Sequence, residues 1–140
     1  MLKSMPHKPQ IIVICGPTAT GKSDLAVEIA LHLQRKAEVI SADSRQIYTY
    51  LNLGTGKITP VEMKNVTHHM LDIRTPDQTY SAAQFKKDGE KIITRILEQK
   101  HVPIICGGTG QYIDTLASGI DFPEVTADEK LRAELEEKTL

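Results

Sequence analysis

A parallel β-sheet with helices on both faces, the α/β class, is the fold that these 140 residues predict. Three observations predict it. Short β-branched apolar runs at 10–15, 39–40 and 102–106 stop at glycines or small polar residues, as buried parallel strands do. Between them lie segments whose apolar residues recur at helical spacing. A glycine-rich turn ending in Gly21-Lys22-Ser23 joins the first strand to the first helix.

Residues 1–9 carry two prolines and no periodicity, and read as a loose arm ahead of a core domain spanning 10–140. The run 10–15 is expected to be a buried strand. Residues 22–35 form a helix, with Leu25, Ala26, Ile29, Ala30 and Leu33 on one face. A second strand at Val39-Ile40 ends in Ser41-Ala42-Asp43-Ser44. The stretch 47–67 reads as loop with short helical pieces, followed by a weak strand over 69–73. Ser81-Ala82-Ala83-Gln84 has capping-box spacing and opens a helix with Ala82, Phe85, Gly89, Ile92, Ile93 and Ile96 on one face. The strand 102–106 runs into Gly107-Gly108-Thr109-Gly110, and a helix over 111–117 follows. Thr126-Ala127-Asp128-Glu129 is a second capping box, with Leu131 and Leu135 as the apolar stripe beyond it. That last helix is expected to reach Leu140 with little after it to pack against, as in a chain cut short.

Composition narrows the function. Lys plus Arg total 17 against 18 Asp plus Glu, which excludes a wholly basic nucleic-acid coat but not a local basic patch. The longest apolar run, Ile11–Cys15, is too short for a membrane span or signal core, so a cytoplasmic chain without membrane contact is expected. Aromatics make up 4% with no Trp, which argues against an aromatic RNA-binding platform. Cys15 and Cys106 are the only cysteines and form no CxxC; both are expected to be buried free thiols, each at the end of a strand.

Gly16-Pro17-Thr18-Ala19-Thr20-Gly21-Lys22-Ser23 matches GxxxxGK[ST] in the strand-to-helix context that the motif requires. Its glycines let backbone amides converge on a phosphate, and the helix N-terminus adds partial positive charge. Lys22 supplies a full charge, and the Ser23 hydroxyl is positioned to ligate Mg²⁺. Asp43 follows the second strand and is expected to face the same crevice. It is placed to hold Mg²⁺ through water, to act as a general base, or simply to cap a helix. Asp72 reads as a salt-bridge or turn residue, and His69 as structural, because adjacent histidines on a strand point to opposite faces. Lys86, Lys87 and Lys91 share a helix with Asp88 and Glu90 and read as a solvated face. Gly107 and Gly108 read as glycines that permit close packing beside the phosphate loop.

The ordered set of motifs is more specific than any one of them. After the phosphate loop come Ser41-Ala42-Asp43-Ser44-Arg45-Gln46-Ile47-Tyr48, Leu53-Gly54-Thr55-Gly56-Lys57, His69-Met70-Leu71-Asp72-Ile73, Tyr80-Ser81-Ala82-Ala83 with Phe85, and Gly107-Gly108-Thr109-Gly110-Gln111-Tyr112. In this order, over about residues 10–135, the chain resembles the tRNA dimethylallyltransferases (tRNA isopentenyltransferases). The resemblance implies a P-loop NTPase-like α/β fold, here as a partial domain. It also implies transfer of a dimethylallyl group from dimethylallyl diphosphate to N6 of the adenosine just 3′ of the tRNA anticodon, by an enzyme that is typically monomeric.

By the same resemblance, residues Gly16 to Ser23 hold the diphosphate with Mg²⁺ as cofactor, and Thr18 bonds it near the breaking bond. Asp43 is the base, and Lys22 stabilises the leaving group. Asp43, Ser44, Arg45 and Gln46 contact the target nucleotide, and Thr109 and Arg132 make further tRNA contacts. The adenine is expected to enter a channel opposite the diphosphate. Members are about twice this length, so an inserted tRNA-gripping helical domain and the C-terminal part are expected beyond this stretch. Two other enzyme readings share the loop: an isopentenyltransferase acting on free adenine nucleotides, and an ATP-dependent small-molecule kinase. The kinase lacks its arginine-rich lid, since Arg45, Arg74, Arg95 and Arg132 are widely spaced. A non-catalytic nucleotide-binding module is the fourth reading.

Overall fold

The computed structural model describes residues 10–120 and 128–138. The expected arm at 1–9 and Thr126 lie outside them. Four parallel strands form one sheet in the order β1-β4-β2-β3, with β1 Ile12–Cys15, β2 Ala37–Ser41, β3 His68–His69 and β4 Val102–Gly107. Helices α1 (Lys22–His32), α2 (Ala82–Glu98), α3 (Gly110–Ala117) and α4 (Glu129–Glu137) complete the elements.

Alternation along the strands divides the core into two layers. Val39, Ile104, Cys106 and Ile14 pack with Ala26, Val27 and Ala30 of α1. Ile40 and Ile105 point the other way and pack with Phe85, Ile93 and Ile96 of α2 and with Tyr112, Ile113 and Leu116 of α3. Both faces are thus covered, as the near-continuous apolar strands require. The expected capping box opens α2, with Ser81 Oγ accepting from the Gln84 amide at 3.2 Å and Gln84 Oε1 accepting from the Ser81 amide at 2.8 Å. Phe85 stacks on Tyr112 with ring centroids 3.9 Å apart, locking α2 to α3.

Five expectations are corrected. The first strand is an edge strand and is not fully buried: β4 pairs with both β1 and β2, so β1 has one neighbour among the described residues and Val13 is 40% exposed. For the same reason Cys15 is exposed, and only Cys106 is buried. The stretch 47–67 is turns without a helix, and the weak strand shrinks to His68–His69, registered on Val39 and Ile40. The last helix starts at Glu129 on an Asp128 cap, whose Oδ1 accepts from the Lys130 and Leu131 amides at 3.0 and 3.1 Å. An Asp cap serves as well as a Thr cap, and here it satisfies the orphan amides of a helix that begins at Glu129. Leu131 and Leu135 of its stripe are 53% and 54% exposed.

His69 of β3 and His101, just ahead of β4, share one carboxylate as structural groups. His69 Nε2 and His101 Nδ1 lie 2.7 and 2.9 Å from the two carboxylate oxygens of buried Glu38. Burial raises the Glu38 carboxyl, but the hydrogen bonds and charges of His69 and His101 outweigh it and leave it below its ordinary value. Burial pushes His68 down. Both folded pKa values are depressed, so each group's contribution is complete above its unfolded pKa and is lost as pH falls through its folded one. Thermal stability is therefore expected to decline in two stages on acidification, starting below about pH 6.5 with His68 and again below about pH 4.5 with Glu38. Melting curves of the protein and of His68→Gln check it: the variant should lose the first stage and keep the second.

Candidate active site

The loops that follow β1, β2 and β4 meet at the C-terminal edge of the sheet, where open parallel sheets place their ligand crevice. Residues 16–21 leave β1 and turn into α1. Ala19 at φ +63° and Gly21 at φ +80° take the left-handed conformation, which curls the backbone into an anion-sized concavity. Gly21 is the N-cap of α1 and carries no capping side chain, so the first-turn amides face the crevice. Thr20 Oγ1 donates to the Pro17 carbonyl at 2.9 Å, and the Lys22 ammonium reaches the same carbonyl across the loop.

Gly107 brings the loops after β2 and β4 together. A Cβ there would lie 2.2 Å from the Ala42 carbonyl oxygen, so only glycine permits the approach. The Ala42 amide donates to the Cys106 carbonyl at 2.8 Å, and the Thr109 amide donates back to the Ala42 carbonyl at 3.1 Å. Thr109 Oγ1 accepts from the Ser44 amide at 2.9 Å and lies 3.3 Å from Ser44 Oγ. Asp43, half-buried between them, accepts from the Arg45 amide through Oδ1 at 2.9 Å, an Asx turn that aims the carboxylate. Beside it, Ser41 Oγ donates to Gln46 Oε1 at 3.1 Å, while Gln46 Nε2 donates to the Thr55 and Gly56 carbonyls at 3.2 Å each.

Two cavities share one wall. The first, about 300 Å³, is lined by Thr18, Lys22, Ser23, Asp43, Gln46 and Lys57 among others. The second, about 270 Å³, is lined by Gly16, Pro17, Thr18, Asp43, Ser44, Arg45 and Thr109 together with Gly54. Thr18, Asp43, Thr55 and Gly108 face both. All the expected loop and nucleotide-contact residues therefore converge here except Arg132, which is exposed on α4 and lines neither cavity. Burial pushes the Cys106 thiol up to about 11, against the pull of Lys22, so it lines the first cavity as a neutral, unreactive group.

The segment 55–58 and Glu62 also line the first cavity, and residue chemistry alone assigned them no role. Lys57, whose side chain is 5% exposed, donates to the Tyr48 carbonyl at 2.7 Å and to Asp72 Oδ1 at 2.6 Å. This is the salt bridge expected of Asp72. The signal for the segment in the sequence is the motif Leu53-Gly54-Thr55-Gly56-Lys57, one of those that carry the family resemblance.

A glycine-rich loop of the P-loop pattern at the mouth of a parallel sheet, with a carboxylate on the wall between two cavities, places the chain in the P-loop class of α/β folds. The family model of the IPP transferases matches residues 46–140. The chain is 47% identical over 120 residues to a tRNA dimethylallyltransferase of Staphylococcus aureus, covering 86% of this chain and 38% of that protein. The full-length tRNA isopentenylpyrophosphate transferase of Bacillus halodurans superposes with a TM-score of 0.80 at 40% identity, covering 94% of this chain and 43% of that one. A eukaryotic dimethylallyltransferase acting on tRNA gives a TM-score of 0.76 at 29% identity, over 92% of this chain and 32% of that one. The chain belongs to the IPP transferase family, and it spans 38% of the length of the curated relative.

Proposed function

We propose that residues 10–140 form the diphosphate-binding core of an enzyme that transfers a dimethylallyl group from dimethylallyl diphosphate to N6 of the adenosine 3′-adjacent to the tRNA anticodon. One observation carries the reading: Thr18 and Asp43 stand on the wall shared by the two cavities. The donor's diphosphate occupies the first cavity, against the loop amides, the N-terminus of α1 and Lys22. The acceptor adenine enters the second, beside Ser44, Arg45 and Thr109. The reacting atoms then meet at Asp43.

In the reaction, the N6 lone pair attacks C1 of the dimethylallyl group, and the C1–O bond breaks with its electron pair leaving on diphosphate. The N6 proton passes to the Asp43 carboxylate. Lys22 and the loop amides stabilise the growing negative charge, and Thr18 bonds the diphosphate near the departing oxygen. Ser23 fits Mg²⁺: its hard hydroxyl oxygen lies in the first turn of α1 and lines the same cavity as Asp43. Among the described residues no cluster of three or more His, Cys, Asp or Glu side chains offers an all-protein cage, and Mg²⁺ is usually held by few protein oxygens plus phosphates. When bound, the ion neutralises charge on the leaving diphosphate.

No helix among the described residues is long and apolar enough to cross a membrane. A cytoplasmic monomer acting on the tRNA anticodon stem-loop, with Arg132 as a further RNA contact, belongs to the same proposal. The test is a calorimetric titration of this chain, with Mg²⁺, by dimethylallyl diphosphate and separately by ATP. Dimethylallyl diphosphate should bind in preference, and Lys22→Ala should weaken it about tenfold to a hundredfold, the worth of a charge-assisted hydrogen bond. Preference for ATP would transfer the site to the kinase reading.

A further inference from the structure

The segment 51–58 forms the outer wall of the first cavity through Thr55, Gly56, Lys57 and Ile58. It has little intrinsic rigidity. Gly54 and Gly56 sit at φ +78° and +61°, and no backbone–backbone hydrogen bond among the described residues involves 51–58. Side chains alone tie it to the body. Thr55 Oγ1 donates to the Leu51 carbonyl at 2.6 Å within the segment, Lys57 reaches Tyr48 and Asp72, and Gln46 grips the Thr55 and Gly56 carbonyls.

The Gln46 grip has one workable orientation. Both Nε2 hydrogens face carbonyl oxygens, and a flipped amide would set Oε1 against the same two oxygens. Oε1 therefore faces Ser41, whose hydroxyl donates to it at 3.1 Å from the buried end of β2. Ser41 is thus linked to the wall of the cavity through a single amide. Gln46 spends both of its donors on the wall, so only an Oε1 lone pair remains for any ligand.

We propose that Ser41 and Gln46 act as a clamp that fixes the 55–57 wall of the diphosphate cavity, with Ser41 a positioning residue that acts through Gln46. The proposal deepens the phosphate-site reading and rests on it for its functional consequence. Ser41→Ala removes the partner of Oε1. Gln46→Glu turns a carboxylate toward two carbonyls and cannot donate. Ser41→Thr keeps the hydroxyl, and the cavity of about 20 Å³ that Ser41 lines gives its methyl room.

The experiment pairs the rate of tryptic cleavage after Lys57, with cleavage within α2 as internal reference, with calorimetric binding of inorganic diphosphate in Mg²⁺. The Lys57 side chain is 5% exposed, so trypsin reaches it only when the wall leaves the body. Cleavage after Lys57 should quicken about threefold to tenfold in Ser41→Ala, the worth of one hydrogen bond, and more in Gln46→Glu. Diphosphate affinity should fall by a similar factor, cleavage within α2 should be unchanged, and Ser41→Thr should restore both. Unchanged cleavage in Gln46→Glu, or a loosened wall with undiminished affinity, overturns the clamp. If the unsubstituted protein takes up no diphosphate, the phosphate-site reading falls, and cleavage alone still decides whether the clamp holds the wall.

Discussion

Asp43→Ala is expected to lower dimethylallyl transfer about a hundredfold to ten-thousandfold, the usual worth of a positioned general base. The measurement belongs in a protein of the relatives' full length, with tRNA as acceptor. Diphosphate binding should survive, because the loop amides and Lys22 hold the phosphates without Asp43. Asp43 also accepts from the Arg45 amide, so alanine removes a turn as well as a base. Asp43→Asn separates the two roles: it keeps the Asx turn and loses the proton acceptor. Loss of transfer in both variants assigns Asp43 as the base. Retained turnover in Asp43→Asn assigns it to the turn and removes the proton-transfer step proposed above.

Gly107→Ala is expected to destabilise the fold by ~3 kcal/mol, at the upper end of what overpacking costs. The added methyl carbon would sit 2.2 Å from the Ala42 carbonyl oxygen and 2.4 Å from its carbon, both backbone atoms that cannot rotate away. Relief requires β2 and β4 to separate where Ser41 pairs with Cys106. The same shift would break the Thr109–Ala42 bond and carry Asp43 off the shared wall. Gly110→Ala is the control: nothing lies within 4 Å of a Cβ there, and at the start of α3 alanine should be neutral or stabilising by up to ~1 kcal/mol. Urea denaturation of the two variants checks both. Equal midpoints would show that β2 and β4 part without cost.

How much was legible before the structure depended on how local each feature is. The α2 capping box spans four consecutive residues, Ser81–Gln84, and its reciprocal bonds formed as expected. The last helix starts one step inside the four-residue window of the Thr126–Glu129 motif, at Glu129 on an Asp128 cap, because propensity determines helix ends only weakly. Strand periodicity located β1 but said nothing of its neighbours, so its edge position and the exposure of Cys15 were not readable. The 47–67 stretch misled because its apolar residues, such as Ile47, Ile58 and Val66, are anchors sunk separately into two different core layers, without one periodic face.

The sequence by itself determined the phosphate loop, the two-faced sheet and the family, since these rest on contiguous residues and on short-range backbone and hydrophobic patterns. Only the tertiary structure decided that Asp43 stands between two cavities, that Gly107 must be glycine because of Ala42, and that Gln46 is spent on the carbonyls of Thr55 and Gly56. Each of these joins segments that are separated along the chain. The contacts exist only once burial of Ile40, Ile104 and Ile105 has drawn β2 and β4 into register, and no local propensity encodes which carbonyl then lies against which side chain.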